Sequence, residues 1–235
     1  MTGFNYLSDG AKLALSKGNR RYVFIPLIAN FLILGFSVSW GLGQMEAATA
    51  AVTGWLPSWL DWLAMIIKPL FVIALLAAFF IAFSALANFI AAPFYGFLSQ
   101  NVVNQIRPDI KEPPGGLNAF LASIPMALMR ELAKLNYYLP RALGLWLLSF
   151  FLPGINLVLW FVFNAWMMAL QYLDYPIDNQ NQPFKQVRAV ASENKVFSFS
   201  FGGLVSVASM IPILNLLVMP AAVCGASKYW CEQQA

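Results

Sequence analysis

The chain has 235 residues with 14 Lys or Arg, 10 Asp or Glu and no histidine, so charged residues make up 10% of it and hydrophobic residues 60%. Soluble domains typically carry about 25% charged residues, and this composition disfavours an ordinary soluble protein. The absence of histidine removes the commonest general base and the commonest nitrogen ligand for metals. The net charge of +4 comes from cations spread along the chain, which disfavours a nucleic-acid partner because such proteins gather Lys and Arg on one face.

The first predicted elements are an amphipathic helix and a membrane span. Residues 1–19 predict an amphipathic N-terminal helix, with apolar positions at Phe4, Leu7, Ala11 and Ala14. A charge-free run over 22–45 follows. Because about 20 apolar residues suffice to cross the hydrocarbon core, this run predicts a first transmembrane helix over 20–45.

An interfacial segment and a second span come next. Trp55, Trp59 and Trp62 lie at helical spacing, and tryptophan side chains are enriched at the headgroup boundary of membranes. The charge-free run over 69–106 is the longest in the chain. It predicts a second transmembrane helix that returns the chain to the starting side.

The last two apolar runs, 142–173 and 196–227, predict helical hairpins. Each has 32 residues, about 48 Å as one continuous helix, and each is interrupted by Pro-x-x-Asn-Leu, at 153–157 and 212–216. A proline ends a helix, and an asparagine can cap the next one. Arms of about 11 to 17 residues are too short to span comfortably, so we expect two re-entrant hairpins that insert part-way and return to the same side.

The distribution of Lys and Arg favours this topology. With two re-entrant hairpins, 13 of the 14 cations lie on one side of the membrane and only Lys68 lies on the other, as the positive-inside rule prefers. If each run crossed once, Lys185, Arg188 and Lys195 would be external. Two long crossings therefore remain the alternative.

The sharpest local motif is Lys-Gly-Asn-Arg-Arg at 17–21. We expect Gly18 to be a hinge and Asn19 to be an N-cap, which places Arg20 and Arg21 in the first turn of a helix. The positive end of the helix dipole disfavours cations there. A tetrahedral oxyanion held by the amides near Gly18 and Asn19 and by both guanidinium groups would offset this. The alternative interpretation is a positive-inside anchor on lipid phosphates.

Further polar residues interrupt the helical runs. Four of them share one narrow helical stripe, namely Arg130, Lys134, Tyr137 and Arg141. The stripe is either the lining of an anion path, with Glu131 holding one guanidinium, or a cationic face that reaches the headgroups. Asn30 and Asn215, inside apolar runs, are either donors along such a path or partners in interhelical hydrogen bonds.

Catalytic and metal-binding patterns are missing from the sequence. Asp174 and Asp178 flank Pro176, which predicts a turn rather than a shared helical face. Cys224 and Cys231 lack the spacing of a zinc or redox pair. Because the apolar runs contain no Asp or Glu, an intramembrane enzyme is disfavoured, and we expect no cofactor and no metal.

Several motifs occur in a characteristic order. They are Gly-Asn-Arg-Arg-Tyr-Val-Phe-Ile-Pro-Leu at 18–27, Ala-Ala-Pro-Phe-Tyr-Gly at 91–96, Tyr-Leu-Pro-Arg-Ala at 138–142, Gln-Tyr-Leu-Asp-Tyr-Pro at 171–176 and Ile-Pro-Ile-Leu-Asn-Leu at 211–216. From about Gly10 to Trp230 the sequence thereby resembles CysZ, the bacterial sulfate transporter family that feeds cysteine biosynthesis.

The resemblance implies an all-α integral protein of the bacterial inner membrane. Its fold would have two long transmembrane helices, two partly inserted hairpins and amphipathic interfacial helices, assembled as a homo-oligomer that moves sulfate into the cytoplasm without an ATPase subunit. The family's Gly-Leu-Arg sulfate motif matches Gly18, Asn19 and Arg20, with Arg21 beside it and asparagine replacing the usual leucine. After Gly96, where relatives usually carry acidic residues, this chain has none until Asp109.

We therefore predict a sulfate permease, formed by one membrane domain over 1–235, with sulfate and membrane lipid as partners. Sulfate would bind at Gly18, Asn19, Arg20 and Arg21. The predicted anion path involves further polar side chains, namely Asn30, Gln100, Arg130, Glu131 and Asn215. The alternative function is a membrane scaffold or regulatory subunit that binds anionic lipids through its basic motif.

Overall fold

The computed structural model describes residues 2–54, 61–110, 117–152 and 154–234, without some of the side chains within 41–53, 61–92, 117–128 and 212–216. Over this part, the chain forms eight α-helices and no strand. They are α1 (Gly3–Ala14), α2 (Arg20–Thr53), α3 (Asp61–Ile106), α4 (Leu117–Ser149), α5 (Asn156–Asn179), α6 (Phe184–Glu193), α7 (Lys195–Ser209) and α8 (Pro212–Gln233). The all-helical fold class is thereby confirmed for the described residues.

The helices belong to two compact units. The first comprises Met1–Val23 with Tyr95–Ala235, and the second comprises Phe24–Phe94. The first unit holds α1, the C-terminal end of α3 and all of α4 to α8, while the second holds most of α2 and α3. The assignment of 1–235 to a single membrane domain stays a prediction.

Two helices in the described part of the chain are long and apolar enough to cross a membrane. They are Arg20–Trp40, at the start of α2, and Asn156–Asn179, which is α5. The first agrees with the predicted span over 20–45. Only 11% of its most apolar window is buried inside the protein, whereas the core helix of a soluble protein would be mostly covered.

α3 is one continuous helix of 46 residues, about 69 Å long at 1.5 Å per residue. It covers the whole of the second predicted span, 69–106. Part of that prediction rests on side chains outside the described residues, and the membrane crossing here stays a prediction. The predicted interfacial side chains of Trp55, Trp59 and Trp62 also lie outside the described residues.

Both predicted helix breaks in the C-terminal half are confirmed. α4 ends at Ser149 and α5 begins at Asn156, while α7 ends at Ser209 and α8 begins at Pro212. α5 and α8 contain 24 and 22 residues, more than the expected arms, because both helices continue beyond the apolar runs into charged sequence. α5 is thereby long enough to cross the membrane, and the part-way insertion of both hairpins stays a prediction.

The asparagines at these breaks do not cap the following helices, so that prediction was wrong. The N-cap residues of α5 and α8 are Ile155 and Ile211, and neither makes a capping side-chain hydrogen bond. The carbonyl of Leu152 already accepts from the backbone N–H of Asn156 at 3.1 Å, so the turn itself satisfies the first amide of α5. The Asn156 side chain instead accepts from Ser149 Oγ at 2.6 Å, across the turn.

α1 packs on α7 and α8 through a face that only partly coincides with its apolar positions Phe4, Leu7, Ala11 and Ala14. The buried residues of α1 are Gly3, Tyr6, Gly10 and Ala14, whereas Phe4 is 63% exposed. A Cβ atom built on Gly10 would lie 2.1 Å from the carbonyl oxygen of Ala221 on α8. Because the two backbones touch here, residue size rather than hydrophobicity selects the packed face.

An aromatic cluster fills the core between α1, α7 and α8. The rings of Phe197 and Tyr229 are stacked with centroids 3.6 Å apart. Tyr6 meets both of them edge-on, with centroid distances of 5.2 Å and 5.3 Å. This cluster fixes α1, and with it the turn that leads into α2.

α5 continues through Pro176 to Asn179, so the turn predicted at 174–179 was wrong. A proline inside a helix costs roughly 3 kcal/mol, but here Pro176 and Ile177 are buried in the core. Asp174 and Asp178 consequently lie one turn apart on the same helical face, where both reach Arg130. Tertiary contacts therefore outweigh the local preference of proline.

Candidate functional site

The motif at 17–21 forms a tight turn between α1 and α2. Ser16 O accepts hydrogen bonds from the backbone N–H groups of Asn19 at 3.1 Å and Arg20 at 3.2 Å. Gly18 has a φ of +101°, which residues with a side chain rarely adopt. A Cβ atom built on Gly18 would meet no other atom within 4 Å, so this side of the turn is open.

Asn19 fastens the turn to α3. The residue is 0% exposed, and its Nδ2 donates to Leu13 O at 2.9 Å and to Ser16 Oγ at 3.1 Å. Its Oδ1 accepts from Asn101 Nδ2 at 2.5 Å and from Gln105 Nε2 at 3.2 Å. Asn101 and Gln105 are one turn apart on α3, so a neutral amide network holds the turn in place.

These contacts correct the expectation that the Asn19 side chain caps α2. The residue directly precedes α2, but its oxygen accepts from α3 side chains instead of capping the first-turn amides. Its side-chain N–H groups are directed at protein acceptors, so they add no donor for an anion. Its backbone N–H is already bonded to Ser16 O. The groups left open to a ligand are the backbone at Gly18 and the two arginines.

Arg20 and Arg21 are exposed in the first turn of α2. Among the described residues neither has a carboxylate partner, and the Arg20 side chain has no partner at all. Arg21 Nη2 donates to the Tyr22 hydroxyl at 2.9 Å, and its guanidinium lies 4.7 Å from that ring centroid. Cations at a helix N-terminus are unfavourable by about 0.3–1 kcal/mol each. This end of α2 therefore carries positive charge that the described protein does not neutralise.

The predicted path residue Arg130 lies in a paired cluster between α4 and α5. Its side chain is 8% exposed, and its Nη2 lies 2.5 Å from Asp174 Oδ1. Its Nε lies 3.1 Å from Asp178 Oδ1, and its Nη1 donates to the backbone oxygen of Gln182. Each nitrogen of the guanidinium thus has a protein acceptor, which leaves little of Arg130 for a passing anion.

Glu131 holds a lysine and not an arginine, which corrects another expectation. Lys134 Nζ lies 2.6 Å from Glu131 Oε1 and 2.5 Å from Asp174 Oδ2. Burial alone would lower the pKa of Lys134, but the two carboxylates outweigh burial and raise it. The arrangement arises because Asp174, on the buried face of α5, occupies the position beside Arg130.

The other predicted path residues are not joined to this cluster by any hydrogen bond between described residues. Gln100 Nε2 donates to Asn104 Oδ1 at 3.1 Å along α3. Asn30, in the second unit, and Asn215, on α8, each have a buried side-chain oxygen without a partner among the described residues. The stretch after Gly96 is core, with Leu98, Val102 and Val103 fully buried.

The residues that position the turn were missed at the level of sequence. Asn101 and Gln105 stand four residues apart at the polar end of an otherwise apolar helix, which places them on one face. This spacing could have indicated a polar face at the end of α3. Asn19 could have been matched to that face, because a buried asparagine needs hydrogen-bond partners.

The sequence matches the protein family described as Sulfate transporter CysZ/Etoposide-induced protein 2.4 over residues 6–220. The match includes the turn at 17–21, the paired cluster of Arg130 and both helix breaks in the C-terminal half. It covers far more than half of the chain. The chain therefore belongs to the Sulfate transporter CysZ/Etoposide-induced protein 2.4 family.

Proposed function

We propose that the protein is an ATP-independent sulfate permease of the bacterial inner membrane that supplies cysteine biosynthesis. Its family supports sulfate as the substrate, and its two long apolar helices support a location in the membrane. The observation that carries the site is the exposed pair Arg20 and Arg21, which has no carboxylate partner among the described residues.

Sulfate would bind in the open side of the turn at Gly18. A dianion there offsets two like charges and the positive end of the α2 dipole in one step. Guanidinium groups match a tetrahedral oxyanion because each presents several N–H donors in a fixed geometry. Asn19 is then a positioning residue, since its side chain binds the protein and holds the backbone that presents Gly18 and Arg20.

Beyond the capture site, we propose that Asn30, Gln100 and Asn215 provide neutral polar groups along the route. Neutral donors bind a dianion weakly enough to let it leave, whereas a cation inside the membrane would retain it. Arg130 and Glu131 belong to a cluster whose charges are already paired. We assign Arg130 a role in holding α4 to α5 and Glu131 a role in pairing with Lys134 on α4. In the homo-oligomer, lipid and neighbouring protomers cover exposed apolar side chains such as Phe151 and Leu157.

The test is the double variant Arg20→Ala/Arg21→Ala. Hydrogen bonds to charged groups contribute about 1.5–3 kcal/mol each, so losing both arginines weakens sulfate binding by a factor of about 100 or more. Radiolabelled sulfate is measured for equilibrium binding to purified protein and for uptake into proteoliposomes that contain only this protein, without ATP. We expect both signals to disappear in the variant.

A matched control removes two exposed cations elsewhere, Lys12 and Lys195, and should leave binding and uptake unchanged. Normal sulfate uptake by the arginine variant would disprove the assignment of the site. If the wild-type protein binds anionic lipid but carries no sulfate, the scaffold or regulatory function replaces the permease.

A further inference from the structure

A cavity of about 410 Å³ lies between α4 and the N-terminus of α6. It is separate from the turn at 17–21. The residues that line it are Ala133, Asn136, Tyr137, Arg141, Pro183, Phe184, Lys185 and Arg188. Three of these side chains are cationic and none is acidic, so the lining carries three formal positive charges without compensation from within.

The two arginines of the cavity are held against the same aromatic ring. The guanidinium carbons of Arg141 and Arg188 lie 3.7 Å and 5.1 Å from the ring centroid of Tyr137. Tyr137 is itself fixed, because its hydroxyl accepts from Trp166 Nε1 at 3.0 Å and its ring meets Phe184 edge-on at 5.8 Å. Tyr137 therefore holds two positive charges close together by cation–π contacts. Their mutual repulsion would be offset by an anion bound between them.

Some N–H donors of these two arginines have no hydrogen-bond partner among the described residues. Arg188 Nε is buried and has no hydrogen-bond partner among the described residues. Arg141 Nη1 donates to Tyr137 O at 2.7 Å, and no carboxylate pairs with either guanidinium in the described part of the chain. A buried donor without a partner is unfavourable, so an acceptor in the cavity would be stabilising.

The same face of α4 offers an internal comparison. One and two turns before Tyr137, Lys134 and Arg130 are neutralised by carboxylates of α5. Arg141, one turn after Tyr137, has no carboxylate partner in the part of the chain that the structure describes. Two of the three cations of the stripe are thus paired with carboxylates, and the charge of the third, Arg141, is not paired among the described residues.

We propose that this cavity is a second anion site, which binds a tetrahedral sulfate or phosphate group. Arg141, Lys185 and Arg188 supply the charge, and Asn136 supplies a neutral polar group. The N-terminus of α6, at Phe184 and Lys185, adds the positive end of a helix dipole. The cavity exceeds the volume of ten water molecules, at about 30 Å³ each. It therefore accommodates either a free oxyanion with its water or the phosphate headgroup of an anionic lipid.

The test uses the full-length protein with Arg20→Ala/Arg21→Ala in the background, so that the proposed capture site contributes nothing. In nanodiscs of phosphatidylcholine, sulfate and phosphate are each titrated by calorimetry. In nanodiscs that also contain phosphatidylglycerol, the lipid retained by the protein after delipidation is quantified by mass spectrometry. Arg188→Gln is introduced for both measurements, with Lys195→Gln as the matched control of an exposed lysine outside the cavity.

We expect Arg188→Gln to reduce the binding of either the free oxyanion, sulfate or phosphate, or the lipid phosphatidylglycerol at least tenfold. Lys195→Gln should change the binding of neither. Loss of sulfate or phosphate binding identifies a free oxyanion, and loss of retained phosphatidylglycerol identifies a lipid headgroup. Should Arg188→Gln fail to fold, Lys185→Gln, at an exposed position, gives the same reading. The proposal is overturned if neither ligand binds in the background protein, or if the cavity variants bind both as tightly as that protein does.

Discussion

Replacing Gly202 with alanine tests how closely α5 and α7 approach each other. A Cβ atom at this position would lie 1.8 Å from the carbonyl oxygen of Ala165 and 3.0 Å from the backbone nitrogen of Ala169. Restoring normal van der Waals contact requires the helices to separate by about 1.5 Å. Overpacking costs about 1–3 kcal/mol, and the upper end applies because the obstacle is backbone. Alanine stabilises the helix by about 1 kcal/mol relative to glycine, so the free energy of unfolding should fall by about 2 kcal/mol in total.

The loss is measured as the shift in melting temperature of the purified protein, followed by tryptophan fluorescence in detergent. For a protein of this size, about 2 kcal/mol corresponds to roughly 4–8 °C. Gly144→Ala is the matched control, because Gly144 is also inside a helix but has no atom within 4 Å of its Cβ position. The control should melt at the wild-type temperature or slightly above it. The reasoning fails if Gly202→Ala melts no lower than Gly144→Ala.

Three further changes probe the turn, the charge cluster and the N-terminal helix. Asn19→Leu removes the side-chain oxygen that accepts from Asn101 and Gln105, which leaves donors of α3 without an acceptor at about 1–3 kcal/mol each. Melting temperature and sulfate binding should both fall, and Asn101→Leu in the same chain should recover part of the melting temperature. Arg130→Ala removes one of the two cations that pair with the buried carboxylate of Asp174 and should destabilise by about 3 kcal/mol, the lower end for a broken buried pair, because Lys134 remains. Glu131→Gln, at an exposed ion pair, should cost less than about 1 kcal/mol in the same melting assay. Asp9 has its pKa lowered from 3.8 by a hydrogen bond from a lysine of α8, so its contribution is present above pH 3.8 and lost as the pH falls through the lowered value. Hydrogen-exchange protection of α1 should drop over that range, and unchanged protection would show that the ion pair does not hold the helix.

Helix breaks and apolar runs could be predicted because they are local properties. A proline removes a backbone donor and restricts the residue before it, which favours a helix break at that point of the chain. The length of a charge-free run likewise indicates the span over 20–45 without any knowledge of the fold. Pro176 shows the limit of that reasoning. Its local preference for a turn was overruled by burial and by the contacts of Asp174 and Asp178 with Arg130, which lies 44 residues before Asp174 and is close only in the fold.

In the candidate site too, the features set by local sequence could be predicted and those set by distant contacts could not. Exposed arginines at a helix start follow from the sequence, because the boundary of α2 is set by local signals. The direction of the Asn19 side chain could not be predicted, because it depends on Asn101 and Gln105, which lie more than 80 positions away along the chain. The packed face of α1 could not be predicted for a related reason, because the backbone contact at Gly10 depends on the fit between two helix surfaces, which hydrophobic spacing does not encode.

The amide network at Asn19 also bears on how this turn varies among relatives. A leucine at position 19 cannot accept hydrogen bonds from amide groups at 101 and 105. An asparagine at position 19 would in turn lack hydrogen-bond partners if residues 101 and 105 were apolar. Positions 19, 101 and 105 should consequently change together across the family, with polar triplets and apolar triplets both common and mixed ones rare. The arginines beside them face outward and are free of that constraint, so ligand binding and internal fit can evolve separately within one short motif.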